Sequence, residues 1–411
     1  MNLPFFIAQR MRFDPSNKGS VSVLIIKIAK LAVVLGISMI LIAVATGKGL
    51  QKEIQDKTVA FNGHLVIAPF ENSESQISML PILDNPQSLE MIKNEAGVTH
   101  VHRIALKGGL LKAKDQFEGM VFKGVGRNYH WEKLEGFLVD GRFPVLDDQT
   151  SNEILLSQVM AKRLSISLGD ELSAYFQNSQ NQQLPNQRKF KVVGMFLSGF
   201  PDFDENFVLG DLRHIQRINK WKENEIGAYE VFTTDLKGVK KIGSSIYNKL
   251  PSNLDVVEIT RQYANIFQWI SLFDFNILII IIVMIAVGVI NMSTALLVLI
   301  LERSNMIGLL KSLGAGTPLI QRIFLYNGIT IMSQGLLWGN LIAIFFYYSQ
   351  KYWGWIRLDP ETYYVNVAPV LLDFWDVLWL NMGFLLISSL LLWIPSLIIS
   401  SIRPARVLRF R

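Results

Sequence analysis

The fold of this chain is decided by a short stretch of sequence, ERSNMIGLLKSLGAGTP, which occupies residues 302–318. It connects two of the most apolar runs of the chain, residues 275–301 and 319–348, and both are long enough to cross a bilayer. A connector this short requires the two runs to be antiparallel neighbours. Four of its apolar residues recur at helical spacing: Met306, Ile307, Leu310 and Leu313. We therefore expect either an amphipathic helix lying across the membrane face or only a capped membrane turn.

Glycine and proline mark both ends of this connector. Gly314 and Gly316 are predicted to end the helix, because glycine tolerates the left-handed cap conformation. Thr317 and Pro318 are predicted to start the next helix, with threonine as N-cap and proline at the first helical position. The connector should therefore be a separate short helix at the foot of a helical hairpin.

The composition indicates a membrane protein with one large water-exposed domain. Hydrophobic residues make up 50% of the 411 residues, and the mean hydropathy of +0.29 is high for a soluble protein. Polar residues concentrate between about 48 and 268, whereas the apolar runs lie towards both ends. The net charge is +6, and most of the excess lies beside the apolar runs. The chain has no cysteine, which excludes disulfides, thiol chemistry and a cysteine lipid anchor.

The distribution of lysine and arginine predicts the topology of four membrane spans, at about 27–47, 271–301, 319–348 and 376–400. The N-terminal segment 1–26, the connector 302–318 and the tail 401–411 are basic and are expected in the cytoplasm. The domain 48–270 and the loop 349–375 are expected outside. The triplet Ala43-Val44-Ala45 resembles a signal-peptidase site, but the basic lead is too long for an ordinary signal peptide, so we favour an uncleaved first span.

The outer domain has a pattern of strands and helices that predicts an α+β fold. Residues 48–140 and 228–270 follow the order β-α-β-β and then β-α-β, which is close to a split βαβ sandwich. Residues 141–227 carry strand signals of their own, at 153–156, 171–176 and 189–196, and are predicted to be an inserted β-rich subdomain. A polar loop at 177–186 should form an exposed hairpin tip.

Catalytic and ion-coupling chemistry is missing from the sequence. There is no Walker A motif, and the Gly124-Val125-Gly126 triplet lacks a third glycine. His100 and His102 could share one face of a strand, but they have no evident third metal ligand. The spans lack charged residues at depth, which disfavours an ion-coupled transporter. Gly335 and Gly339 form a GxxxG pair, which packing within one subunit, self-association and pairing with a partner permease would all use.

The connector carries a resemblance to a known family. Its ER…IGLLKSLGAG pattern resembles the connector of FtsX-type ABC permeases of the MacB superfamily, where the matching segment is the coupling helix that docks on a cytoplasmic ATPase. The sequence RPARVLR at 403–409 is similar to the RPA-x-x-L ending of that family. FFIAQR at 5–10, YVNVAPV at 364–370 and the single span before a large outer domain are similar to lipoprotein-releasing permeases of the LolC/LolE type. The residues that the resemblance assigns to ATPase coupling are Glu302, Arg303, Met306, Ile307, Leu310, Lys311, Leu313, Gly314 and Gly316.

The same resemblance implies a function and a set of partners. The chain would be a permease subunit that extracts lipoproteins from a Gram-negative inner membrane, in a homo- or heterodimer with a second permease subunit. ATP and Mg would be bound by a separate cytoplasmic ABC ATPase, with no cofactor and no metal in this chain and no nucleic-acid partner. In LolC a hook in the inserted subdomain holds the periplasmic lipoprotein carrier. LPNQRKF at 184–190 resembles the end of such a hook, with matching residues Pro185, Gln187 and Arg188.

Lipoprotein would enter sideways between the first and second spans of two subunits. The acyl chains need an apolar cradle, and the residues at suitable depth are Ile40, Val44, Phe267, Ile270 and Phe273. Each could equally be an ordinary lipid-facing or packing residue. Two alternative functions stay open: a MacB-like efflux permease working with an adaptor and an outer-membrane tunnel, and an FtsX-like signalling permease that controls cell-wall hydrolases.

Overall fold

The computed structural model describes residues 3–12, 21–73, 77–114, 116–177 and 185–401. These residues form two compact units. The helical unit contains the chain up to Lys52, Ile270–Arg357 and the chain from Val367 onward. The sheet unit contains Glu53–Trp269 and the short segment Leu358–Asn366. Part of the predicted loop 349–375 therefore belongs to the sheet unit.

The helices are, in chain order, α1 (Leu3–Arg12), α2 (Val21–Asn62), α3 (Phe70–Ser73), α4 (Pro86–Lys93), α5 (Gln158–Arg163), α6 (Pro201–Asp204), α7 (Leu212–Asn219), α8 (Val239–Tyr247), α9 (Ile259–Gln262), α10 (Ala264–Glu302), α11 (Ser304–Ser312), α12 (Thr317–Trp353), α13 (Pro360–Tyr363), α14 (Phe374–Leu391), α15 (Trp393–Ser396) and α16 (Ile398–Ser401). The strands are β1 (Leu65–Pro69), β2 (Ile82–Leu83), β3 (Val98–Ala113), β4 (Gln116–Val125), β5 (Leu138–Gly141), β6 (Glu153–Ser157), β7 (Glu171–Phe176), β8 (Asn186–Phe196), β9 (Phe207–Asp211), β10 (Glu225–Ile226), β11 (Ala228–Thr233) and β12 (Leu254–Glu258).

The helical unit contains the apolar segments that the sequence predicts. Within the described ranges, four helical segments are long and apolar enough to cross a membrane: Val23–Asn62, Ala264–Glu302, Thr317–Trp353 and Phe374–Ser400. The last segment is interrupted, since α14 ends at Leu391. Pro395 explains this break, because a proline ring clashes with the carbonyl group four residues earlier in a helix. The N-terminal segment also forms a helix, α1, whose Phe5 ring contacts the ring of Tyr326 on α12.

Helix α2 continues well beyond the predicted first span, 27–47. Its apolar run ends near Thr46, but Leu50, Ile54 and Phe61 follow at helical spacing and are buried. The helix ends where Gly63 adopts a φ of +67°, and a Cβ atom there would lie 2.7 Å from Glu230 Cγ. The predicted domain boundary at residue 48 thus falls inside α2, whose residues from Glu53 onward belong to the sheet unit.

The GxxxG pair of α12 packs against α2 of the same chain. A Cβ atom on Gly335 would lie 2.6 Å from Val33 Cγ1, and one on Gly339 would overlap the side chain of Ile37 and approach the carbonyl oxygen of Val34 to 2.7 Å. Small residues at these two positions allow close approach of the two backbones. Of the uses that the sequence left open, the structure shows packing within one subunit.

The sheet unit is built on one mixed sheet. Within the described residues ten strands form it, in the order β12-β1-β11-β3-β4-β9-β6-β8-β5, while β7 pairs with β3 and β8. The strands of the predicted insertion 141–227 join those of the predicted α/β part in this sheet, since β9 runs parallel to β4 and β7 runs antiparallel to β3. The sheet is therefore continuous across the predicted subdomain boundary.

Helices α4, α7 and α8 cover this sheet with their apolar faces. Leu89 and Ile92 of α4, Ile215 of α7, and Val239 and Ile246 of α8 are buried in the same core as the strands. Each helix shows apolar residues at three- or four-residue spacing, which the sequence already displayed. The side chains of this core make the sheet unit a compact support for the segments that the resemblance assigns to function.

Candidate functional site

The connector forms a separate helix, as the sequence predicts. Helix α11 (Ser304–Ser312) begins after Arg303, and Gly314 ends it with a φ of +88° and open space around its α-carbon. The amide of Ala315 donates to the Leu310 carbonyl oxygen at 2.9 Å and closes the turn. Gly316 does not end this helix but is the N-cap of α12, so that Thr317 is the first helical residue instead of the predicted cap.

The apolar face of the connector is divided between the interior and the surface. Ile307 is completely buried in the core of the helical unit, and Met306 and Leu310 pack against that core. By contrast, Leu313 is 76% exposed, and Leu309, which the sequence analysis did not select, is 52% exposed. Ile307 therefore holds the connector on its own helices, and the apolar surface left for a partner consists of Leu309 and Leu313.

Polar contacts fix the position of the connector within the helical unit. The Lys311 Nζ atom donates to the carbonyl oxygen of Ile399 at 2.7 Å. A lysine beside the carbonyl oxygens near the end of a helical segment is favourably placed, because it supplies positive charge there. Arg303 is half-buried, whereas Glu302 is exposed. Of the assigned charges, Lys311 thus has a structural role that the sequence did not reveal.

The described hook residues lie at the start of strand β8. Pro185 and Gln187 are exposed, and the Gln187 Nε2 atom donates to Ser173 Oγ on β7 at 3.1 Å. Arg188 is half-buried, and its Nη1 atom donates to the carbonyl oxygen of Gln187 at 3.0 Å. Leu184 and the tip before it lie outside the described residues. The strand pairing therefore places these residues at one end of a hairpin, in a rigid ladder with β7.

Three of the five residues predicted for the acyl cradle are buried in the structure. Ile40 and Val44 are buried in the core of the helical unit, and Ile270 is only 3% exposed. Phe267 belongs to the sheet unit and packs near Val59, Phe232 and Ile259. Phe273 is half-buried on α10. These residues were predicted from their expected depth in the membrane, but depth does not determine which face of a helix is buried.

The exposed apolar surface of α10 lies at other positions. Leu272, Phe275 and Ile282 are 57%, 61% and 58% exposed, and Ile290 is 65% exposed. The hydrophobic residues of this helix are distributed around its whole circumference, so the sequence contains no periodic signal that separates buried from exposed positions. Only the tertiary packing shows which residues of α10 are exposed.

A buried charge network, which the sequence analysis missed, lies where α2 meets the sheet. The Lys123 Nζ atom donates to Glu230 Oε1 at 2.6 Å and to the carbonyl oxygen of Phe61 in the last turn of α2. Both side chains are almost completely buried. Burial alone would raise the pKa of Glu230, but Lys123 and His102 outweigh burial and hold that pKa below its ordinary value. The available signal was a single charge within each of two otherwise apolar strand segments, MVFKGV and AYEVF.

Histidines surround this network without forming a metal site. His102 Nε2 lies 3.0 Å from His130 Nδ1, and the rings of His100 and His130 are 4.3 Å apart. Among the described residues, no group of three or more His, Asp or Glu side chains is arranged to hold a metal ion. Nearby, the Nδ1 atom of His64 accepts a hydrogen bond from the Thr233 amide, and burial together with Lys133 lowers the pKa of His64 to about 4 against the opposing effect of Asp235.

Comparison with known proteins matches both units of the chain. The family model of the MacB-like periplasmic core domain matches residues 28–264, and that of the FtsX-like permease C-terminal region matches residues 278–404. The lipoprotein-releasing system transmembrane protein LolE of Haemophilus influenzae is 21% identical over 425 residues, covering 99% of each chain. LolC of Xylella fastidiosa is 20% identical over 427 residues, again with 99% of each chain covered.

Among solved structures, the periplasmic region of MacB from Actinobacillus actinomycetemcomitans covers 49% of this chain and 91% of its own, with 15% identity and a TM-score of 0.34. The two family models together account for nearly all of the sheet unit, the connector and the helices that follow it, in the order in which they occur here. The chain therefore belongs to the family of FtsX-like permeases with a MacB-like periplasmic core domain.

Proposed function

We propose that this chain is a permease subunit of an ABC transporter that extracts lipoproteins from the inner membrane and passes them to a periplasmic carrier. The observation that carries the proposal is the match to relatives named LolE and LolC along 99% of both chains, which includes both units and the connector. ATP hydrolysis is assigned to a separate cytoplasmic ABC ATPase, and a second permease subunit completes the membrane part.

The proposed topology places four spans in the inner membrane and the α+β domain, with its inserted β-rich part, in the periplasm. The N-terminus, the connector and the C-terminus are cytoplasmic, in agreement with the lysine and arginine distribution. Charged and polar contacts at the other end of the spans support this assignment. Lys48 pairs with Asp376, and the Gln51 Nε2 atom donates to Asp274 at 2.9 Å. Such contacts are expected where helices leave the hydrocarbon region.

The connector would transmit the movement of the ATPase to the spans. Leu309 and Leu313 are the apolar side chains it presents at its surface, while buried Ile307 joins it to the helical unit. An apolar side chain that enters a groove of the ATPase would bind it, and the packing of Ile307 would carry the displacement into the spans. The hydrogen bond from Lys311 to Ile399 extends this connection to the end of the fourth span.

The acyl chains of the lipoprotein would contact the exposed face of α10 between two permease subunits. Leu272, Phe275 and Ile282 offer a broad apolar surface there. This assignment replaces Ile40 and Val44, which are already covered by their own helices. The protein part of the substrate would pass to the carrier, which the hook residues Pro185, Gln187 and Arg188 would hold.

Reconstitution tests the proposed function. The chain should co-purify in mild detergent with an ABC ATPase and a second permease subunit. In proteoliposomes this complex should release an acylated lipoprotein to a soluble carrier only when ATP is present. A control substrate, in which a single transmembrane helix replaces the acyl anchor of the same protein, should stay in the membrane. ATP-dependent loss of small amphiphilic drugs without lipoprotein release would instead indicate an efflux permease and overturn the proposal.

The hook can be tested in the same system. Arg188→Ala combined with Pro185→Gly should weaken capture of the carrier, since arginine offers planar charge-assisted hydrogen bonds and proline presets the backbone. Lys240→Ala, on the exposed surface of α8, is the matched control for loss of a positive charge. The hook assignment fails if the double variant captures the carrier as well as the control does.

A further inference from the structure

A groove lies between α12 and α14 in the helical unit, on a part of the spans that the transport proposal does not use. Its volume is about 790 Å³, and most of its wall is apolar, with contributions from Leu325, Ile329, Leu385 and Leu386. The groove extends along α12 from Pro318 to Leu336. At a rise of ~1.5 Å per residue this is about 27 Å along the helix axis. The groove therefore has the length and the chemistry to hold an acyl chain within the bilayer.

The end of the groove near the connector is polar and positive. Arg322 lines this end and is exposed, and Gln321 beside it donates to the Ser396 carbonyl oxygen at 3.4 Å. Among the described residues that line the groove, Arg322 is the single charged side chain and none is acidic. Helix α12 begins at Thr317, so the positive end of its dipole lies at the same level.

An aromatic residue marks the same level as the membrane surface. Trp393 lines the groove and is 58% exposed. Tryptophan is enriched at the boundary between hydrocarbon and headgroups, where one part of its ring is apolar and the other donates a hydrogen bond. The positive end of the groove is thus placed where the phosphate of a membrane lipid would be.

We propose that this groove is a binding site for an anionic phospholipid of the leaflet on the connector side. One acyl chain lies along Leu325, Ile329 and Leu386, and the headgroup phosphate accepts hydrogen bonds from Arg322. Basic pockets between membrane helices bind anionic headgroups in this manner. A zwitterionic lipid would fill the apolar part equally well, but its own positive group would reduce the attraction to the arginine. The proposal does not rest on the transport role, since it concerns binding by the chain itself.

Native mass spectrometry of the purified, delipidated full-length protein tests the site. With equal amounts of phosphatidylglycerol and phosphatidylethanolamine we expect preferential binding of phosphatidylglycerol. Arg322→Gln should reduce that preference by about fivefold, the factor expected for one arginine near an anionic lipid surface. Leu386→Trp, at a position that is 57% exposed and thus tolerant of a larger side chain, should obstruct the groove and reduce binding of both lipids.

A matched control separates a defined site from general attraction. Lys27 is an exposed cation near the start of α2 that does not line the groove, so Lys27→Gln should leave the lipid preference unchanged. An equal effect of Lys27→Gln and Arg322→Gln would overturn the proposal in favour of diffuse surface charge. Equal binding of the two lipids by the unchanged protein would overturn it too. Displacement of phosphatidylglycerol by a triacylated lipopeptide would show that the groove serves cargo instead of a resident lipid.

Discussion

Leu313 of the connector provides the sharpest test of ATPase docking. It is the C-cap residue that follows helix α11 and is 76% exposed, whereas Ile307 within that helix is completely buried. Complete burial of a leucine side chain contributes ~1.5–3 kcal/mol, and about three-quarters of that is still available to a partner at this position. Leu313→Ala should therefore weaken the complex with the ATPase by roughly 1–2 kcal/mol, which corresponds to about a fivefold to thirtyfold rise in Kd.

Leu310→Ala, inside α11, is the matched control in the same connector. Leu310 packs against the core of the helical unit, so its truncation should lower the stability of the permease by ~2 kcal/mol or more and affect the binding step much less. Both variants remove the same side-chain atoms from leucines of the same connector. They should therefore separate clearly in two assays, a binding titration with the ATPase and thermal unfolding of the permease in detergent.

If Leu313→Ala binds the ATPase with unchanged Kd while Leu310→Ala weakens binding without lowering Tm, then the docking face is not the one exposed in this structure. If neither variant changes Kd, the connector acts as a membrane turn. If the connector does dock on the ATPase, Leu313→Glu gives the limiting case, since a charge buried in an interface without a partner costs several kcal/mol and should abolish co-purification.

Three further predictions concern stability, all measured by unfolding of the full chain in detergent. Gly339→Leu should destabilise the helical unit by ~1–3 kcal/mol through overpacking against α2. Gly383→Leu should have little effect, because there is open space around the α-carbon of Gly383. Equal effects of the two variants would refute the packing of Gly339 against α2. The pKa of His64 is lowered to about 4 in the folded state, so this residue favours folding above pH 6.5. Its contribution to the free energy of unfolding should fall by about 3 kcal/mol as the pH falls from 6.5 to 4. His64→Asn should therefore show a shallower loss over this range, and an unchanged slope would contradict the assignment. Lys123→Met should lower the free energy of unfolding by ~3–5 kcal/mol, because it leaves the Glu230 carboxylate buried without its partner. Adding Glu230→Gln should restore most of the lost stability. No recovery in the double variant would argue against the buried pair.

Local patterns predicted the elements of this fold well. Strand β7 was predicted over Glu171–Phe176 and is observed with these bounds. Gly314 was predicted to end the connector helix, and its positive φ confirms this. These features depend on residues a few positions apart, such as alternating apolar residues or a glycine after a helical turn, so the sequence contains the information directly.

The sequence was a much poorer guide to which face of each element is buried and which other element packs against it. The apolar stripe of the connector correctly identified Met306 and Ile307 as members of one face, but not that the helical unit would bury Ile307 and leave Leu309 exposed. The cradle residues were chosen by depth, and α10 is apolar all round, so no periodicity indicated which of them would be covered. Predicting such burial requires knowledge of which other helix lies alongside.

The sequence by itself determined the number of apolar segments long enough to span a membrane, the position of the connector and several strands of the sheet unit, but not β5 or β9. Tertiary structure decided how far α2 extends, because Leu50, Ile54 and Phe61 become buried only when the rest of the chain surrounds them. It also decided that Lys123 and Glu230, 107 residues apart, form a buried pair. The physical reason is the range of the interactions: turns and periodic faces arise from neighbours along the chain, whereas burial and charge pairing depend on segments that only folding brings together.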